Sequence, residues 1–137
     1  MWWIYALLSA VFASLTAIFA KIGVANVNSD LATAIRTVVI LIVAWGIVLA
    51  RGELKGLNLL SRHTFLFLIL SGVATGLSWI FYYKALQLGK VSQVAPVDKL
   101  SVALTIILSA LILKETLSIK TVIGAVLIIG GTLVLIF

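Results

Sequence analysis

Asp98, Ser101, Thr105 and Ser109 follow one another at spacings of 3, 4 and 4. On an α-helix such spacings place all of them on one face. The stretch that carries them, KVSQVAPVDKLSVALTIILS at 90–109, is otherwise apolar enough to sit in a bilayer. One carboxylate followed by hydroxyls can hydrogen-bond water or a polar solute, and a polar row inside a membrane is costly unless it faces protein or water. The row therefore suits the wall of a solute pathway. Its plainer reading is that the hydroxyls bond back to their own helix and act as packing glue.

A second row strengthens the first. Ser71, Thr75, Ser78 and Tyr82 recur at 4, 3 and 4, and Gly72, Gly76, Trp79 and Tyr83 run beside them at the same intervals. Gly72 and Gly76 form a GxxxG pair, which lets another helix approach closely. Aromatic faces interleaved with hydroxyls suit an amphipathic organic solute. The residues expected to touch it are Trp79, Tyr82, Ser78, Ser101 and Thr105.

Charge gathers at one level. Lys21 lies near the end of a first apolar segment, Arg36 about two turns into the second, Lys84 at the end of the third, and Asp98 and Lys99 about two turns into the fourth. Asp98 is expected to neutralise Arg36 or Lys99, because a lone charge at that depth is expensive. The cluster of Arg36, Asp98, Lys99 and Lys21 reads either as a structural ion pair or as a gate or anchor for substrate charge. Cations outnumber carboxylates in it, which favours an anionic or zwitterionic group. Pro96 removes a backbone donor and either kinks the helix beside Asp98 or shapes its entry.

Other chemistry finds no support. His63 stands at a loop edge without His, Asp or Cys at ligand spacing, so no metal site is expected. There is no phosphate-binding glycine loop and no nucleophile paired with a base. Neither enzymatic activity nor a cofactor is expected. The chain holds no cysteine, which excludes disulfides and thiolate metal sites.

The elements that position these residues are apolar helices. Of 137 residues, 64% are hydrophobic and 10% charged, with a mean hydropathy of +1.31. Such a composition marks an integral membrane protein. Segments of about 20 residues, the length that crosses a bilayer, are expected at 2–24, 31–50, 64–86, 91–113 and 119–137. This predicts an all-α fold of five transmembrane helices, a single domain over 1–137. The start, MWWIYALLSA, lacks the basic region of a signal peptide and reads as a first span with interfacial Trp2, Trp3 and Tyr5. Asp30 can cap span two and Ser118 span five. The polar loop is RGELKGLNLLSRH at 51–63. Span five, with Gly124 and Gly131 seven apart, reads as a scaffold or association helix.

The net charge of +6 is explained by cations at helix ends, and no nucleic acid is expected as a partner. Arg51, Lys55, Arg62, Lys114 and Lys120 share one face with the N-terminus, against Lys21, Lys84 and Lys90 on the other. The bias favours a cytoplasmic N-terminus only mildly, so insertion in both orientations stays open.

Residues 113–135, LKETLSIKTVIGAVLIIGGTLVL, resemble the end of an EamA-type repeat of the drug/metabolite transporter superfamily. Glu115 closes span four as in that repeat, and Gly124, Leu127, Ile128 and Gly131 match its Gly-x-x-Leu-Ile-x-x-Gly pattern. FYYKALQLGKVSQVAP at 81–96 is similar to the junction of its spans three and four, and Arg36 falls where the family often has Arg. The resemblance covers essentially the whole chain. One position departs: many members have Pro where this chain has Ser101, so the kink geometry does not carry over.

The resemblance implies one half of the inverted-repeat ten-helix transporter fold. It also implies a multi-pass protein of the cell (inner) membrane. An odd-spanned half rebuilds the ten-helix arrangement when two copies insert oppositely, which makes an antiparallel homodimer the expected partner arrangement, beside membrane lipid and a small-molecule substrate. Small multidrug relatives use a carboxylate in span one; this chain has none there. The expected function is secondary transport of small amphipathic or amino-acid-like solutes by alternating access. The alternative is a non-transporting membrane subunit, or a component that flips a lipid-linked group.

Overall fold

A computed structural model describes residues 1–137, with the side chain of Asn58 outside the description. Its elements are helices: α1 (Trp2–Gly23), α2 (Ser29–Arg51), a 3₁₀ segment (Glu53–Leu59), α3 (Arg62–Leu88), α4 (Val91–Asp98), α5 (Leu100–Ile112) and α6 (Ile119–Ile136). With α4 and α5 counted together over Val91–Ile112, five spans are long and apolar enough to cross a membrane. They fall where the apolar segments predicted them, within two residues at each end. The protein is an all-α, multi-pass integral membrane protein.

The chain divides into two compact units. In the unit Phe19–Gln87, the residue that caps α2 is Asn28, not Asp30. The extended backbone of Asn28 (ψ 133°) aims its side-chain oxygen at the N–H groups of Asp30 and Leu31, 2.8 and 3.4 Å away. Asp30 lies instead in the first turn, where its charge favours the helix N-terminus. Thr33 and Thr37 donate their hydroxyls to the carbonyls of Ser29 and Thr33, each at 2.8 Å, so neither leaves a polar group bare. Gly52 ends the helix with φ +68°, the left-handed conformation that suits glycine. The expected polar loop then coils into the 3₁₀ segment, which packs back on α2. Ser61 starts α3 by accepting from the Thr64 N–H at 3.0 Å. At 27 residues, α3 is about 40 Å long, more than the hydrocarbon core needs, so its polar ends reach the interface.

In the unit formed by Met1–Ile18 and Leu88–Phe137, span four is interrupted. Pro96 lies well inside α4, where its missing N–H leaves the ladder one bond short. Lys99 separates α4 from α5, and its N–H turns to the carbonyls of Pro96 (3.0 Å) and Ala95 (3.3 Å). Pro96 thus marks a break within the span rather than only its entry. α6 packs against both pieces. Buried Thr132 on α6 donates to the Pro96 carbonyl at 3.3 Å, a second donor to the oxygen that already accepts from the Lys99 N–H. Ser118 caps α6 as expected, accepting from the Thr121 N–H at 3.1 Å.

Little of each span is buried by the chain itself, at most 6% of any membrane-crossing window. Leu86, Tyr83 and Val24 are the most deeply buried apolar residues. All three lie at the end of Phe19–Gln87 where α1, α2 and α3 meet.

Candidate functional site

Arg36 and the aromatic residues near the end of α3 make the densest polar arrangement in Phe19–Gln87. Trp79 and Tyr83 are four apart, which stacks them on one helical face. The Arg36 guanidinium carbon lies 4.1 Å from the centre of the Trp79 ring and 5.4 Å from that of Tyr83. One of its nitrogens donates to the Tyr83 hydroxyl at 2.6 Å. Tyr82 adjoins the group, its ring centre 6.3 Å from that of Tyr83. Within this unit neither Asp30 nor Glu53 forms a salt bridge with Arg36. The guanidinium is held by π-faces and a phenol, which orient it without cancelling its charge. Such contacts stabilise a desolvated cation by about 2 kcal/mol. Of five N–H donors on a guanidinium, the one to Tyr83 is engaged. The remaining edge is suited to a carboxylate.

Two further bonds fix the neighbourhood. Gln87 Nε2 donates to the carbonyls of Val24, at 3.0 Å, and Val27. Lys21 Nζ donates to the carbonyl of Leu86. The end of α1 and the turn that leads into α2 are thereby tied to the end of α3, the helix that carries the aromatic partners of Arg36. Both ties use long polar side chains to satisfy carbonyls left free at helix ends.

Several other residues singled out in the sequence bond to near neighbours along the chain. Asp98 pairs with Lys99 at 3.1 Å, the second of the two partners expected for it. Thr105 donates to the Ser101 carbonyl at 2.7 Å and Ser109 to that of Ile106 at 3.0 Å. On α3, Thr75 donates to the Ser71 carbonyl at 2.8 Å. These hydroxyls spend their protons on their own helices and keep their acceptor lone pairs. Ser78, Ser101 and Thr105 are exposed in the chain, and Tyr82 and Trp79 half-buried.

The structure thus joins Arg36 to Trp79 and adds Tyr83, which the sequence had assigned to the row beside the proposed wall. The signal was present: Trp79 and Tyr83 share a face, whereas Trp79 and Tyr82 lie on neighbouring rows. Gln87 and Thr132 gave no signal, since their roles depend on carbonyls that only the fold exposes.

The chain matches the EamA-like transporter family over residues 1–137. It is 51% identical over 134 residues to an uncharacterized transporter in the cobO 3′ region of Sinorhizobium sp, covering 98% of this chain and 95% of that protein. It is 35% identical over 132 residues to the uncharacterized protein MJ1333.1 of Methanocaldococcus jannaschii, covering 96% and 93% of the two. No solved structure matches. With its five spans and a family match from end to end, the chain belongs to the EamA-like transporter family of membrane transporters.

Proposed function

We propose that the protein is a secondary transporter of the cell (inner) membrane. It moves small amphipathic, amino-acid-like solutes by alternating access and works as a homodimer. The observation that carries this reading is the Arg36 guanidinium, oriented by Trp79 and Tyr83 and unpaired with a carboxylate of its own unit. It offers the carboxylate of such a solute a planar, charge-assisted partner, and Trp79 and Tyr82 offer its apolar part aromatic surface. Ser78 supplies an exposed hydroxyl on α3, and Ser101 and Thr105 supply acceptors on α5. Asp98, Lys99 and Lys21 gate access by exchanging partners, Asp98 from its present Lys99.

The break at Lys99 supports movement within span four, as in transporters whose helices are interrupted near their sites. The homodimer is supported by helix faces the chain leaves open. A Cβ built on Gly72, Gly76, Gly124 or Gly131 would meet nothing within 4 Å, so the notches these glycines make are available to a second copy. With five spans per copy, opposite insertion gives the inverted arrangement.

Uptake into proteoliposomes tests the reading. Trp79→Ala and Arg36→Gln are expected to abolish uptake while each variant purifies at the wild-type oligomeric size. Retained uptake in both would overturn it.

A second reading, a non-transporting subunit or flippase component, is favoured by the hydroxyls bonded back along α3 and α5. Single cysteines at 101, 105 and 109, introduced into a chain with none of its own, separate the two. Labelling by water-soluble reagents supports the transporter; uniform protection supports the subunit.

A further inference from the structure

Where α2 runs into its connection to α3, towards the end of the helix away from Arg36, α2 and the 3₁₀ segment form a groove of about 350 Å³. Ala44, Trp45 and Val48 line one side, and Leu57 and Leu60 the other. Among the described residues that line it, the charged one is Glu53. Glu53 has no salt bridge to any cation of its unit, although Arg51 and Lys55 stand two residues before and after it. Those cations and Arg62 flank the groove in sequence and outnumber its single carboxylate.

The combination is specific. The lining sits where a span meets the membrane surface, and its apolar walls suit the upper part of an acyl chain. An anionic lipid would be drawn by the flanking cations but would meet an unpaired carboxylate in the groove. A zwitterionic headgroup meets both: its phosphate faces the cations and its amine faces Glu53. We propose that this groove binds an aminophospholipid of the phosphatidylethanolamine type. Its primary ammonium donates to the Glu53 carboxylate, its phosphate is held by the flanking basic side chains, and one acyl chain lies against Trp45, Val48, Leu57 and Leu60. A choline headgroup carries the same charge but has no N–H to donate, so the site discriminates between the two by hydrogen bonding. This site stands apart from the Arg36 arrangement and does not depend on the transport reading.

The test is native mass spectrometry of the detergent-solubilised full chain with phosphatidylethanolamine, phosphatidylcholine and phosphatidylglycerol of matched acyl chains. Wild-type protein is expected to retain phosphatidylethanolamine about tenfold more tightly than phosphatidylcholine, the factor of one charge-assisted hydrogen bond. Glu53→Gln is expected to bring that ratio to about one, with thermal stability in detergent alone unchanged. Gly56→Leu fills the groove, where a Cβ meets nothing within 4 Å, and is expected to weaken all retention. Equal retention of choline and ethanolamine lipids by the wild type overturns the proposal. So does an ethanolamine preference that survives Glu53→Gln, or tighter retention of phosphatidylglycerol, which would mark a simple basic patch.

Discussion

In the proposed transport, Arg36 is the residue that would anchor the solute. A guanidinium is planar, stacks on an aromatic face and donates along its edges, whereas an ammonium is a compact, strongly hydrated point charge. Arg36→Lys keeps the charge but loses the stack on Trp79. Uptake is expected to fall at least about tenfold, a loss of about 1.4 kcal/mol of differential binding, with expression and oligomeric state retained. Tyr83→Phe removes only the hydroxyl that accepts from Arg36 at 2.6 Å. It is expected to lower thermal stability by about 1–2 kcal/mol, because a charged donor loses its acceptor in a half-buried place. A thermal shift in detergent checks this, and an unchanged melting temperature would show that the bond contributes nothing net.

At the scale of elements, the break in span four rests on Pro96 and on the α6 hydroxyl that supports it. Pro96→Ala restores an N–H and is expected to raise thermal stability while slowing uptake, since the span loses its preformed break. Thr132→Val removes the donor to the Pro96 carbonyl and is expected to cost about 1 kcal/mol. At the other break, Gly52→Ala forces a Cβ into a left-handed backbone at φ +68° and is expected to cost about 1 kcal/mol. Circular dichroism melts in one detergent compare all of these.

The elements were the most legible part of the sequence, for a physical reason. An apolar helix satisfies its own backbone and crosses a bilayer when its length matches the bilayer's thickness, so long apolar runs in the sequence locate the spans. Ser118 was legible as a cap because a hydroxyl precedes the apolar run directly. Asn28 was not, because Asp30 is an equally good capping residue by type and only the backbone conformation decides between them. The partners of Arg36 were half legible. The spacing of Trp79 and Tyr83 put both on one face, but which face turned to α2 depends on helix rotation, and the apolar residues all around α3 do not fix it. In sequence Thr132 is one hydroxyl within an apolar run, and only the fold brings the Pro96 carbonyl to it.

For the whole molecule, the spans bury little within one chain. A lone copy leaves its glycine notches open and presents most of its apolar side chains to lipid or to another protein. Topology reporters fused after residue 137 are expected to signal from both sides of the membrane, as opposite insertion of two copies requires. Signal from one side alone would exclude the antiparallel pair and leave a parallel dimer.

Competition for uptake into proteoliposomes between an aromatic amino acid and its methyl ester, which differ in the carboxylate charge, tests whether Arg36 anchors the solute. With wild-type protein the free acid is expected to compete at least about tenfold better than the ester, as an anchoring guanidinium requires, and Arg36→Gln is expected to erase that preference. Equal competition by acid and ester in the wild type, or a preference that persists without Arg36, would contradict it.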